Sequence, residues 1–313
     1  MRRYYVILII SYCINIIHDS FATIRVDLAV KGIIKILYGE WVKNKMRNQL
    51  YIKSAGTHIM CVMKSMCCLK DIKGAVILVP GFSQSSCDVD YFMTNLSNAL
   101  NEKRYLTLQV DLYGHGDSYG DLSSINLQIL RDNILSVIKY INNSRANMPI
   151  WGITRGIYGN LFCEDIIAYK LSGVICVNPV RINEKLQSYI SHANGNIVEI
   201  RDFILENTFF EHLFMLMGAE LTNIRGQKIN INFLDEIANK IEKLHHPKNV
   251  ILLSSYNENK KISEMNYSDI KDKKIDYLSE RCFLRDPEWQ LELINKIVKV
   301  VRENENADAI SNK

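Results

Sequence analysis

The pattern of apolar and polar positions changes its period several times along the chain, and each change predicts a new element. Apolar runs rich in β-branched residues, such as Ala75–Val79 and Ile150–Ile153, predict buried strands of a parallel sheet. Between them, apolar residues three or four positions apart predict helices over Asp90–Glu102 and Leu127–Ile141. The same patterns predict further strands and helices, namely the strands Leu106–Leu112, Val174–Asn178, Val250–Ser254 and Lys274–Leu278 and the helices Gly156–Lys170 and Glu288–Glu303.

Strands that alternate with helices in this way predict a doubly wound, mostly parallel α/β sheet. Two shorter extended runs, Leu50–Lys53 and His58–Lys64, precede it and predict a hairpin that turns at Ala55-Gly56. Residues from 181 to about 245 have a mostly helical pattern, which predicts a helical cap inserted at the sheet edge. We therefore expect one α/β domain over residues 48–303, followed by a disordered tail at 304–313.

The first 47 residues form an N-terminal extension whose role the sequence leaves open. Met1-Arg2-Arg3 precedes an apolar stretch at residues 4–17, an order that is typical of a signal peptide. The stretch is shorter than a membrane-spanning helix usually requires. A signal or membrane anchor, a helix packed on the domain, and an extension upstream of a protein that starts near Met46 are three open interpretations.

The amino-acid composition limits which classes of partner and which cellular compartment we expect. The 313 residues carry a net charge of +4, and no dense Lys/Arg run with interleaved aromatic residues indicates a nucleic-acid partner. Eight cysteines without a Cys-x-x-Cys pair indicate buried reduced thiols, and hence a cytoplasmic location. Membrane association through residues 4–17, or export if residues 1–22 act as a signal, is the alternative. No spacing of ligand residues predicts a metal or a cofactor.

Three segments that could carry chemistry follow predicted strands, at the edge where α/β sheets bind their ligands. In Pro80-Gly81-Phe82-Ser83, the glycine allows a turn that directs the Phe82 N–H toward an oxyanion. In Gly152-Ile-Thr154-Arg155-Gly156, small residues flank a threonine, which predicts a nucleophile elbow with Thr154 exposed at its strained tip. We expect Arg155 to start the next helix, where its N–H completes the oxyanion hole and its guanidinium can bind a carboxylate or phosphate.

The third segment is the glycine-rich loop Asp111-Leu-Tyr-Gly-His115-Gly-Asp-Ser118, in which His115 is expected to pack beside the oxyanion loop. Each segment alone is a weak signal. In this order, each at a strand end, the three favour the α/β-hydrolase fold.

The sequence also resembles the second group of α/β-hydrolase-like proteins associated with exosortase systems. The resemblance covers about residues 48–300 and is carried by the segments 111–121, 150–156, 178–180, 224–234, 282–284 and 287–288. It implies a bacterial protein that works alongside protein sorting and exopolysaccharide production, with protein-export or polysaccharide machinery as its partner. It implies no substrate.

The catalytic set of a hydrolase is incomplete in this sequence. A triad needs a histidine base after the last strand, but the seven histidines lie at 18, 58, 115, 192, 212, 245 and 246, all before Lys274–Leu278. Glu258 is the candidate acid, and His115 is the best-placed candidate base, or else a residue that shapes its loop. Two functions stay open: an ester or thioester hydrolase or acyltransferase that uses Thr154 on a small acyl-type substrate, or a catalytically silent protein that binds a ligand or partner.

Overall fold

The computed structural model describes residues 46–162, 165–168, 170–178, 197–199, 228–230, 233, 236, 250–254, 263–265 and 286–311. In chain order the described strands are β1 (Met46–Ser54), β2 (Thr57–Ser65), β3 (Gly74–Val79), β4 (Tyr105–Val110), β5 (Ile150–Arg155), β6 (Gly173–Val177), β7 (Ile197–Glu199), β8 (Lys228–Asn230), β9 (Val250–Ser254) and β10 (Ser263–Met265).

Eight of these strands form one sheet in the order β1-β2-β4-β3-β5-β6-β9-β10. The five central strands, from β4 to β9, are parallel to one another, whereas β1, β2 and β10 join antiparallel. In the centre, Val79 at the end of β3 pairs with Thr154 in β5, and Arg155 pairs with Val177 at the end of β6. The carboxyl ends of three neighbouring strands therefore meet at one edge of the sheet.

The described helices are α1 (Phe92–Glu102), α2 (Leu127–Ser144), α3 (Tyr158–Phe162), α4 (Asp165–Ala168) and α5 (Pro287–Ser311). Apolar side chains of α2 and α3, such as Ile134 and Phe162, form one buried cluster with the sheet. Side chains of α1 and α5, such as Leu96 and Ile297, form a second buried cluster with it. Because helices cover both faces of the central strands, the predicted doubly wound, mostly parallel sheet is confirmed.

The hairpin β1–β2 also follows the prediction. Its turn consists of Ala55 and Gly56, which have φ angles of +49° and +78°. Two successive left-handed residues are the geometry of the tight turns that match the twist of antiparallel strands.

Several predicted boundaries differ from the structure. The helix predicted over Gly156–Lys170 begins only at Tyr158, since β5 continues to Arg155, and its described residues form the two short helices α3 and α4. The last helix does not end at Glu303 but continues to Ser311, through most of the predicted disordered tail. Residues 304–311 contain neither Gly nor Pro, so nothing in their sequence ends the helix.

The described part of the predicted helical cap contains a short antiparallel sheet, formed by β7 and β8. Phe233 and Glu236 are also described and are helical. The other cap residues, the extension 1–45 and the predicted strand Lys274–Leu278 lie outside the described residues. A different strand, β10, pairs with β9 at the edge of the main sheet. Across the described ranges, none of the helices combines the length and the apolar character that crossing a membrane would need.

Candidate functional site

Three connections meet at the carboxyl edge of the central strands. We call residues 80–91, which follow β3, the β3 loop, and residues 111–121, which follow β4, the β4 loop. Residues 156–157, which join β5 to α3, are the β5 turn. The β3 and β4 loops each contain a segment singled out from the sequence, and the third segment ends β5 and enters the β5 turn, so the structure brings Gly81, Phe82, His115, Thr154 and Arg155 to the same edge.

Thr154 does not stand at the tip of the β5 turn, which corrects the sequence-based expectation. It is a completely buried residue of β5, and it pairs with Val79 of β3. Between Ile150 and Gly159 the left-handed backbone falls on Gly156, at a φ angle of +64°. Gly-x-Thr-x-Gly matches the sequence signature, but the β-branched threonine fits the pleat of the strand and the second glycine takes the turn.

The hydroxyl of Thr154 is also chemically isolated. Its Oγ1 is buried and has no hydrogen-bond partner among the residues that the structure describes. A threonine hydroxyl becomes a useful nucleophile only when a base accepts its proton. The described side chains therefore provide no such base at Thr154.

Arg155 is buried rather than solvated at a helix start, which corrects the second expectation for this segment. It is the last residue of β5, and its side chain makes a two-pronged ion pair with Asp88 of the β3 loop. Arg155 Nε donates to Asp88 Oδ2 at 2.9 Å, and Nη2 donates to Oδ1 at 2.6 Å. The carboxylate that this guanidinium binds thus comes from the protein itself.

The β3 loop is held in an unusual conformation. Four of its non-glycine residues have left-handed φ angles between +46° and +61°, namely Ser83, Asp88, Asp90 and Tyr91. Such angles cost free energy unless the surroundings enforce them. Buried polar side chains do so here, since Gln109 Nε2 donates to the Ser86 carbonyl at 2.7 Å and the Ser86 N–H donates to Asp111.

Asp111 connects the β3 loop to the β4 loop. Besides the Ser86 N–H, its carboxylate accepts the Asp117 N–H at 2.9 Å. A Cβ atom on Gly116, at a φ angle of +48°, would lie 2.2 Å from Asp111 Oδ2, so only glycine fits there. Burial raises the pKa of Asp111 to about 6, although both N–H donors favour the charged form.

His115 is buried in the β4 loop and has a partner on each ring nitrogen. Nδ1 lies 2.9 Å from the Tyr113 carbonyl, which can only accept, so Nδ1 carries the proton. Nε2 lies 2.7 Å from the hydroxyl of Tyr158, which donates to it. Burial lowers the pKa of His115 to about 4, so the ring is neutral near pH 7.

The rings of His115 and Tyr158 belong to an aromatic cluster that also contains Phe82 and Phe233. Phe82 packs edge-on against His115 at a centroid distance of 5.8 Å, in agreement with the predicted packing of His115 beside the oxyanion loop. Phe233, from the predicted cap, stacks on Phe82 at 6.1 Å. All four side chains are at most 3% exposed, so they fill the space beside the β5 turn.

Sequence reasoning missed Asp88, Tyr158 and Phe233. A weak signal existed for Tyr158, which is a bulky residue just after a turn where small residues normally let helix and strand approach. Asp88 was visible only as a charge in the β3 loop, and nothing marked Phe233. Glu258, the candidate acid, lies outside the described residues. Among the described side chains, no group of three or more His, Cys, Asp or Glu could hold a metal ion.

Comparison with known protein families and with curated proteins finds no match. Comparison with solved structures does find similar chains. DcsB, in complex with its substrate analogue, has 14% identity and a TM-score of 0.56, with 83% of this chain and 100% of DcsB covered. Est1E from Butyrivibrio proteoclasticus with ferulic acid bound has 16% identity and a TM-score of 0.49, with 65% and 77% covered. The esterase Pf2001 from Pyrococcus furiosus has 11% identity and a TM-score of 0.48, with 83% and 93% covered.

This chain has the α/β-hydrolase fold. In that fold the nucleophile occupies the strained turn between a strand and a helix. The oxyanion hole uses the N–H of the following residue and an N–H from the loop after an earlier strand. In this chain the junction between β5 and α3 is formed by Gly156 and Ile157, and the β3 loop contains Phe82. Gly156, which takes the left-handed turn, carries no side chain.

Proposed function

We propose that this α/β-hydrolase-like protein is catalytically silent and binds a ligand or a protein partner at the carboxyl edge of its sheet. The observation that carries the proposal is the left-handed Gly156 at the β5 turn. A glycine has no hydroxyl, thiol or carboxylate, so it cannot form the covalent intermediate of a serine-hydrolase mechanism.

The state of Thr154 supports the same conclusion. A nucleophile must be exposed to its substrate, but Thr154 is wholly buried within β5. Its hydroxyl has no partner among the described residues, and the two described histidines do not bond to it. His115 Nδ1–H donates a hydrogen bond to the Tyr113 carbonyl and Nε2 accepts one from the Tyr158 hydroxyl, so neither nitrogen is available to act as a base.

A binding role is supported by the conformation of the β3 loop at the carboxyl edge of the sheet. The β3 loop keeps a strained conformation that the buried side chains of Gln109 and Asp111 enforce, and Tyr91 within it is 66% exposed. Strain of this kind persists where a particular backbone shape serves function. We infer that the loop presents a fixed recognition surface, although the chemistry beneath it has been lost.

The competing function is an ester or thioester hydrolase or acyltransferase that acts on an acyl-type substrate. It would use Thr154 as nucleophile and Glu258 as acid, with Phe82 and Arg155 donating to the oxyanion. For Thr154 to react, β5 would have to open and supply the hydroxyl with a base. No histidine follows residue 246 in the sequence to be that base.

A fluorophosphonate probe distinguishes the two functions. We expect no labelling of the wild-type protein or of Thr154→Ala, and no turnover of p-nitrophenyl esters or acyl thioesters above the buffer rate. We expect acyl-type compounds to bind without being turned over, and this binding should raise the melting temperature of the protein. Labelling of the wild type that disappears in Thr154→Ala would overturn the silent assignment.

We further propose a cytoplasmic location beside the protein-export and polysaccharide machinery of a bacterium. The resemblance to exosortase-associated proteins supports the export and polysaccharide machinery as the partner. None of the five described cysteines is in a disulfide, which supports a reducing compartment. In-cell crosslinking of a tagged full-length protein tests this, because export or polysaccharide-synthesis proteins should be enriched over a tagged control, and their absence would contradict the link.

A further inference from the structure

A cleft lies at the amino edge of the sheet, where the parallel strands begin, opposite the carboxyl edge that holds the β5 turn. It has a volume of about 470 Å³ and is lined by Lys73, Lys103, Asn295, Val298, Lys299, Arg302 and Glu303. Lys73 directly precedes β3, Lys103 follows α1, and the other five residues belong to α5. The cleft is therefore formed by three separate parts of the fold and is distinct from the β5 turn.

The charges around this cleft are strongly unequal. Among the described residues that line it, four have cationic side chains and Glu303 alone has a carboxylate. Glu303 lies 3.7 Å from Lys299, but both side chains are more than 60% exposed, so water screens the pair. Like charges that converge repel one another, and a concave surface of one sign concentrates its electrostatic potential on an anion.

The backbone fixes two of the cations relative to each other. The Lys73 N–H donates to the Arg104 carbonyl at 3.0 Å, which ties the start of β3 to the turn that follows α1. In that turn the N–H groups of Lys103 and Arg104 donate to Leu100 and Asn101 of α1, each at 3.0 Å. The turn is therefore well anchored, and Lys103 projects from a defined backbone.

Helix α5 forms the wall of the cleft that faces Lys73 and Lys103. Lys299 and Arg302 are three residues apart, so they lie on the same side of α5, and both are exposed. Val298, at 7% exposure, lies next to them and packs into the core. This side of α5 therefore places two exposed cations beside the cleft, next to a residue that packs into the core.

We propose that this cleft binds a small anion with several phosphate groups. Ammonium groups of lysine act as point charges toward phosphate oxygens, and a guanidinium can bind two of them at once. One carboxylate or one phosphate can contact only one or two of these side chains, whereas a polyphosphate can reach several. The concave shape favours a small ligand over an extended anionic surface.

The test uses the full-length protein and inorganic tripolyphosphate, with calorimetry as the readout. We expect saturable binding that weakens as salt is added, because screening shortens the range of these charges. In Lys299→Gln/Arg302→Gln, affinity should fall at least about tenfold, the loss expected from one or two charge-assisted hydrogen bonds.

The matched control is Lys139→Gln/Lys170→Gln, which removes the same charge from exposed positions elsewhere. It should bind tripolyphosphate with an affinity within about twofold of the wild type. Circular dichroism checks that each variant is folded. Absence of binding by the folded wild type, or an equal loss in both variants, would refute the site. Binding to phosphatidylglycerol vesicles without tripolyphosphate binding would also refute it, by assigning these charges to a membrane surface.

Discussion

Arg155 and Asp88 form a buried, two-pronged ion pair that fastens the β3 loop to the last residue of β5. The side chains of the two residues are 3% and 0% exposed, and both contacts have hydrogen-bond distances of 2.9 Å or less. The pair joins the two segments that would form an oxyanion hole in a hydrolase. In this protein it holds them together by charge instead of leaving the guanidinium open to a substrate.

The first prediction concerns this pair. Asp88→Asn keeps a residue that tolerates the left-handed backbone but removes the carboxylate, so Arg155 stays buried opposite a neutral amide. We expect the free energy of unfolding in urea to fall by about 3 kcal/mol, the typical cost of breaking a buried ion pair from one side.

The double variant Asp88→Asn/Arg155→Met is the control for this prediction. It removes the buried charge as well, and it should recover at least about half of the lost stability. Equal stability of the single and double variants would show that the buried charge is not the source of the effect.

The second prediction concerns His115, whose pKa is lowered to about 4 by burial. The unfolded chain has a histidine pKa near about 6.5 and binds a proton that the folded protein excludes. The stability from the neutral ring is therefore complete above pH 6.5 and is lost as pH falls toward 4. The loss should reach about 3 kcal/mol for this group.

A variant that lacks both polar partners tests the second prediction. His115→Phe/Tyr158→Phe removes the imidazole together with the hydroxyl that donates to it, so that hydroxyl is not left without its acceptor, and only the carbonyl of the half-buried Tyr113 loses a donor. Urea melts between pH 7 and 4 should show a smaller loss of stability in this variant than in the wild type. A parallel decline in both proteins would contradict the neutral, buried His115.

The third prediction concerns Asp111, whose contribution to stability changes with pH in the opposite direction to that of His115. Its folded pKa of about 6 lies above the unfolded value of about 3.9, so the folded state binds the proton more tightly. Relative to Asp111→Asn, the wild type should gain up to about 3 kcal/mol of stability as pH falls from 7 to 4. Urea melts of the two proteins at pH 7, 5.5 and 4 measure this gain, and a constant difference across the three would contradict it.

The scaffold could be predicted from the sequence, whereas the site could be predicted only in part. Buried strands such as Ala75–Val79 have unmistakable apolar patterns, and glycines marked the three connections at the correct edge. The register of Gly152-Ile-Thr154-Arg155-Gly156 could not be read from spacing, because either glycine can take a left-handed turn. Pairing with β3 and β6 decided it, since the sheet continues through Arg155. The Arg155–Asp88 pair joins residues that are far apart in sequence, and no local pattern reveals such a contact.

The fourth prediction tests whether Gly156 is the lost position of the nucleophile. Gly156→Ser places a hydroxyl on the β5 turn, at a φ angle of +64° that a residue with a Cβ adopts at a cost of about 1–2 kcal/mol. We expect the variant to fold with this loss of stability. We also expect it to remain unlabelled by a fluorophosphonate, because both ring nitrogens of His115, the described histidine beside the turn, already have hydrogen-bond partners.

Gly56→Ser is the matched control for that experiment, since Gly56 also has a left-handed φ angle of +78° and a Cβ there meets no atom within 4 Å. It should lose a similar amount of stability, measured by urea melts, and it too should stay unlabelled. Labelling of Gly156→Ser alone would reveal a proton acceptor at the β5 turn. The protein would then lack only its nucleophile, and the proposal that the whole relay has been lost would fail.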